Sequence, residues 1–300
     1  MSRVERGRTK GSGDTAGSPE AGPNSGRASV AWPLLASELS VLFRRVRTWA
    51  MLAALAAVPV LIAVAVKLSS RPTAPGRGPL FLDRISQNGL FVAVTALVVC
   101  VPLFLPLTVG VVAGDTLAGE ASIGTLRYLL LAPTGRTRLL LVKYAGAVAF
   151  CCAATATVAA AGALAGVVFF PVGPVTLLSG ETVSVGEAAV RSLLIAAYAT
   201  VSLIGLSAIG LLISTMTDVP VGAMAATIVL AVVSQVLDTL PQMDWLHPWL
   251  FSHHWVGFAD LLRQPISWAS FGDNLLLQGG YIAVCGALAY ANFSNKDVLS

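Results

Sequence analysis

AGDTLAGEASIGTLRYLLLAPTGRTRLLLVK, residues 113–143, is the stretch on which the fold turns. It is polar and charged at both ends and apolar in the middle. Long apolar runs flank it, over 90–112 before and 139–169 after. A membrane protein that sets a short amphipathic helix and a basic turn between two spans offers a soluble partner something to hold. The segment is therefore expected to be a mechanical contact rather than a plain connector.

The remainder of the chain has the composition of a membrane protein. Of its 300 residues 56% are hydrophobic and only 11% charged, and the mean hydropathy is +0.79. A soluble domain of this length needs more charge to cover its surface. A spanning helix takes about 20 apolar residues to cross about 30 Å of hydrocarbon. Six runs are candidates: 49–66, 90–112, 139–169, 192–216, 219–237 and 275–290, the last near the lower length limit. The third is long enough to tilt or to project beyond the bilayer. The expected fold is an all-α integral membrane protein with six transmembrane helices. Residues 1–30 are Gly/Ser/Pro-rich and mixed in charge, with no apolar run of the kind a secretory signal needs. They are expected to form a disordered arm, leaving 31–300 as the membrane domain.

Lys and Arg set the orientation. Alternating sides from the N-terminus, one side receives Arg3, Arg6, Arg8, Lys10, Arg27, Arg44, Arg45, Arg47, Arg127, Arg136, Arg138 and Lys296, with Lys143 at its boundary. The other side receives Lys67, Arg71, Arg77, Arg84, Arg191 and Arg263. The positive-inside rule then puts both termini in the cytoplasm of a plasma-membrane protein.

Within 31–48, Leu35, Leu39, Leu42, Phe43 and Val46 recur at helical spacing beside Glu38, Arg44, Arg45 and Arg47. This suits a helix lying along the interface, its arginines near anionic headgroups and Trp49 as an anchor. Pro59 lies in the first span, and Pro102 and Pro106 in the second, where a missing donor tends to bend a helix. Gly162 and Gly166 form a GxxxG on a small-residue face suited to close helix packing, within the chain or between subunits. The turn at 216–220 joins an antiparallel helical pair. Residues 238–273 are too long for a turn and too broken for a span. Their prolines and Trp245, Trp249, Trp255 and Trp268 predict short re-entrant or interfacial helices on the outer face. Cys100, Cys151, Cys152 and Cys285 fall inside spans without a CxxC pair, as small packing residues.

Catalytic motifs are absent from the sequence. There is no GxxxxGK[ST] loop for ATP phosphates, no HExxH and no GxSxG. His247, His253 and His254 stand near Asp244, but a metal site needs three or four convergent ligands. No metal or catalytic residue is assigned. The span centres hold no ionisable residue of the sort an ion-coupled carrier needs. Energy is expected from outside the chain.

The run Glu120, Ala121, Ser122, Ile123, Gly124, Thr125, Leu126, Arg127, then Leu129, Leu130, Pro133, Arg136 and Lys143, resembles the cytoplasmic loop of ABC-2-type transporter permeases. Residues 37–39 with Arg44, Arg45, Arg47 and Trp49, and the C-terminal 293–300, are similar to that family's interfacial helix and tail. The resemblance covers roughly 31–300. It implies a permease subunit of an ABC exporter, coupled to a separate ATPase subunit that holds the ATP and Mg. This chain would bind no cofactor. The loop would be a coupling helix over 119–133, with Ile123, Leu126, Leu129 and Leu130 as its apolar face and Glu120 and Arg127 as polar anchors. Glu120 would lie in its first turn, and Pro133 would end it. Arg136 and Arg138 would then hold the next span at the headgroups, with Lys143 at the membrane interface. The partners implied are the ATPase, a second permease and the lipid bilayer, with no nucleic acid. Two other readings compete. One is a membrane enzyme acting on a lipid or glycan with a site on His253, His254 and Asp260. The other is an assembly or sensor subunit that does not transport.

Overall fold

The computed structural model describes residues 25–68, 88–89, 91–124, 136–171, 173, 175–176, 182–263 and 265–295. In chain order the elements are α1 (Ser25–Arg44), α2 (Val46–Leu68), α3 (Phe91–Val99), a π-helical segment (Cys100–Phe104), α4 (Leu105–Ser122), α5 (Arg136–Phe169), a two-stranded antiparallel ribbon of β1 (Val175–Thr176) and β2 (Thr182–Val183), α6 (Val185–Met216), α7 (Pro220–Asp238) and α8 (Ala269–Asn295). Three short 3₁₀ segments, Pro241–Met243, His247–Trp249 and Gly257–Leu262, lie between α7 and α8.

Among the described residues, six helices are long and apolar enough to cross a membrane: α2, the continuous α3–π–α4 rod, α5, α6, α7 and α8. The chain is a mostly helical, multi-pass membrane protein. The rod from Phe91 to Ser122 has 32 residues, about 48 Å at 1.5 Å per residue, so it is longer than the hydrocarbon is thick. The last span, marginal by its apolar run, is a full 27-residue helix.

Helix α6 is the centre of the bundle and packs on α4, α5, α7 and α8. Helices α1, α2 and α3 pack on α5. The core between them holds Leu55, Leu97, Phe150, Val158, Ile195, Leu203 and Leu206. The GxxxG of α5 packs inside this chain: a Cβ at Gly162 would collide with the backbone of Ala93, and one at Gly166 with the carbonyl of Gly89. Small faces let these backbones approach where lipid removes the usual hydrophobic drive.

Local chemistry sets the irregular points. Pro102 has no N–H to return to a carbonyl four residues back. The ladder there widens, and the Leu105 N–H bonds the Cys100 carbonyl. Such π turns interrupt an otherwise α-helical rod. The expected helix over 31–48 runs from Ser25 to Arg44 and breaks at Arg45. Thr48 Oγ1 donates to the Leu42 carbonyl at 2.7 Å, and Trp49 Nε1 to the Phe43 carbonyl at 2.7 Å. These two bonds satisfy carbonyls that the break leaves open. Helix α1 begins six residues before the boundary expected from composition, and the arm over 1–24 lies outside the described residues.

Candidate functional site

Six charged residues, Glu38, Arg45, Arg47, Asp115, Glu120 and Lys143, gather where α4 outruns its apolar segment. Hydropathy falls after Val112, yet the helix continues for ten residues to Ser122. Ala113, Leu117 and Ala118 are buried at helical spacing and keep one face of this extension in the bundle. A Cβ at Gly114 would meet the backbone of Ala223 and Met224, so the glycine lets the start of α7 lie directly against α4. From α6, the Ser214 hydroxyl accepts the Leu117 and Ala118 backbone N–H groups at 2.9 and 2.8 Å. These two bonds tie α4 to α6 one turn before Glu120.

The extension carries two carboxylates, each fastened to another helix. Asp115 accepts from Arg45 at 3.3 Å and from Arg47, which joins α4 to the elbow between α1 and α2. Glu120 accepts from Lys143 of α5. The Lys143 ammonium also donates to both oxygens of Glu38 on α1 at 2.8 Å. Its side chain is only 5% exposed, against 17% for Glu120 and 25% for Glu38. A buried ammonium is tolerable only when paired and fully bonded, and the two carboxylates supply that. Three cations and three carboxylates therefore balance across α1, α2, α4 and α5.

Beyond Glu120 the helix ends in a turn. Gly124 adopts φ 72°, the left-handed region glycine enters without a Cβ penalty, and its N–H bonds the Ala121 carbonyl at 3.1 Å. Ile123 is 70% exposed at the tip. Arg136, where the chain re-enters the bundle, donates to the Phe293 and Ser294 carbonyls at 3.2 and 2.5 Å. A cation on the last carbonyls of α8 offsets the negative end of that helix. Beside the ion pairs of Asp115, Glu120 and Lys143 lies a cleft of about 280 Å³, lined among others by Leu42, Arg47, Ile123 and Pro220.

These positions correct several expectations. Glu120 does not open a separate helix; it sits in the last turns of α4, bonded to Lys143. The helix expected over 119–133 therefore does not begin at 119. Thr125, Leu126, Arg127, Leu129, Leu130 and Pro133 lie outside the described residues. Lys143 is buried in an ion pair rather than held at headgroups, because two neighbouring helices present carboxylates to it. Arg136 caps α8 instead. Arg44 and Trp49 are exposed, as an interfacial position requires. Neither Asp115 nor Ser214 is marked out by motif or periodicity. An acidic residue just past a hydropathy drop, with three arginines 68 to 71 positions upstream, was the available signal for Asp115.

The opposite end of the bundle is built differently. Trp255 is buried and Tyr198 donates to the His254 carbonyl at 2.6 Å. The Arg191 guanidinium holds the Leu261 and Arg263 carbonyls at 2.9 Å and pairs with Glu187. Trp245, Trp249 and Trp268 are exposed. His253 pairs with Asp238 at 2.7 Å, while Asp260 accepts from Ser270 and pairs with Arg263. His254 lies against His253, and its pKa is lowered by burial first and by His253 second. The triad of His253, His254 and Asp260 on which an enzyme reading rests is thus divided between separate partners. Among the described residues no three His, Cys, Asp or Glu side chains converge on a metal position.

Residues 60–299 match the family described as Protein of unknown function (DUF2705). No curated protein matches the chain.

Proposed function

We propose that this chain, which belongs to the DUF2705 family, is the permease subunit of an ATP-driven exporter in the plasma membrane, with both termini cytoplasmic. A separate ATPase subunit docks at the Gly124 end. The observation that carries this reading is the frame around the 125–135 segment. On one side the segment leaves α4 directly after Asp115 and Glu120, which are fastened to α1, α2 and α5. On the other it returns through Arg136, fastened to the end of α8. A displacement applied to the segment would reach four of the six spans through charge-assisted bonds rather than through loose loop. The Ser214 bonds one turn before Glu120 carry the same load into α6.

In the cycle that follows, the partner ATPase closes on ATP and pushes the Ile123–Gly124 tip. The end of α4 moves as one body with the elbow and the start of α5. The spans then tilt against α6 and open a path for an apolar or amphipathic substrate. Interfacial helices, a coupling contact within the 125–135 segment and the aromatic cap at the Trp255 end complete this picture.

The test is reconstitution. The chain, co-expressed with a candidate ABC ATPase subunit and placed in vesicles, should give ATP hydrolysis that falls at least tenfold when Ile123→Arg puts a charge into the contact. Hydrolysis and transport indifferent to Ile123→Arg would remove the tip from the mechanism. Turnover of a lipid by the chain alone, without nucleotide, would favour the enzyme reading.

A further inference from the structure

The elbow between α1 and α2 carries a surface that the interior ion pairs do not use. Arg44 stands in the last turn of α1, Arg45 at the break and Arg47 in the first turn of α2. Among them Val46 is 83% exposed, and Trp49 just beyond is 61% exposed. The Trp49 N–H is engaged by the Phe43 carbonyl, which pins the indole across the break and leaves its apolar surface uncovered. Two large apolar side chains held outward among three guanidiniums are poorly placed in bulk water. At the depth of lipid headgroups the same set is favourable, because apolar groups meet acyl carbons while guanidiniums meet phosphates.

The charge balance points the same way. Asp115 is the carboxylate bonded to Arg45 and Arg47, and its side chain is 13% exposed while theirs are 49% and 43% exposed. One largely covered carboxylate thus faces two half-exposed guanidiniums. Among the described residues no bond reaches Arg44, which is exposed. With the other three cations balanced by Asp115, Glu38 and Glu120, Arg44 leaves the elbow one positive charge in excess at its surface.

We propose that the elbow binds the headgroup of an anionic phospholipid. Arg44 and Arg47 bond its phosphodiester, and Val46 and Trp49 rest against the glycerol and first acyl carbons. The headgroup competes with Asp115 for Arg47. Since Asp115 is the elbow's hold on α4, occupancy by lipid loosens that hold and makes the Gly124 end sensitive to membrane charge. The site needs only the bilayer and stands with or without an ATPase partner.

The test uses the full chain in neutral detergent, titrated with short-chain phosphatidylglycerol, with short-chain phosphatidylcholine and with inorganic phosphate, bound ligand being counted by native mass spectrometry. Phosphatidylglycerol should bind more tightly than either of the others. At about 1 kcal/mol per surface arginine, Arg44→Gln should weaken it ~5-fold and Arg44→Gln with Arg47→Gln ~30-fold. Arg44 holds nothing inside the protein, so its substitution leaves the fold intact. Asp115→Asn should tighten binding, a gain that a misfolded protein would not give. Equal binding of the two lipids, phosphate binding as well as phosphatidylglycerol, or an unchanged affinity in Arg44→Gln would each overturn the site.

Discussion

Lys143→Met removes the cation to which both Glu38 and Glu120 are bonded. The two carboxylates are then left facing each other in a mostly covered space. Breaking a buried pair by deleting one partner costs about 3–5 kcal/mol. Glu38 keeps a quarter of its side-chain surface exposed, so water recovers part of the loss and about 3 kcal/mol is expected. Glu120→Gln costs less, about 1.5 kcal/mol, because Lys143 retains both oxygens of Glu38. Replacing all three, as Glu38→Gln, Lys143→Met and Glu120→Gln, removes every charge at once, and such a swap is close to neutral, within about 1 kcal/mol. The triple variant should thus be more stable than the single Lys143→Met by about 2 kcal/mol. Unfolding in mixed micelles by titrated SDS, followed by circular dichroism, measures all three. A triple variant no more stable than Lys143→Met, or a Lys143→Met that costs under about 1 kcal/mol, would refute the coupled, buried cluster.

Two further outcomes follow from packing and titration. Gly162→Val drives two methyl groups into the Ala93 backbone and should cost about 1–3 kcal/mol in the same unfolding assay, whereas Gly279→Val, at an open position on α8, should be nearly neutral; equal costs would mean that Gly162 does not pack within the chain. His254 holds its proton less firmly in the folded state, so its contribution to stability is complete above the ordinary histidine value of about 6.5 and is lost as pH falls below it. Wild type should therefore lose more stability than His254→Gln between neutral and mildly acid pH, and identical losses would contradict the burial of that ring.

The spans were legible because hydrocarbon imposes a one-dimensional rule: about 20 apolar residues in a row. At Pro102 the structure has a π turn, for the reason proline gives it, a missing donor. The charged end was not legible in the same way. The hydropathy drop at Ala113 read as the end of a span, and Glu120 as the start of something new. What keeps that region helical is the pairing of Asp115 with arginines some 70 residues upstream and of Glu120 with Lys143. Such long-range partners leave no periodic trace in sequence. Likewise Lys143 looked like a boundary anchor because nothing local announces Glu38, 105 residues before it.

The role proposed for the Gly124 end is to take up force from an ATPase. A photo-activatable residue placed at Ile123 in intact cells, with captured proteins identified by mass spectrometry, tests it most directly. A subunit bearing a P-loop should be captured there, more strongly when ATP is depleted or trapped, and not from the same probe at Trp245 on the opposite end. Capture of extracytoplasmic proteins from Ile123, or of the ATPase from Trp245 alone, would contradict it.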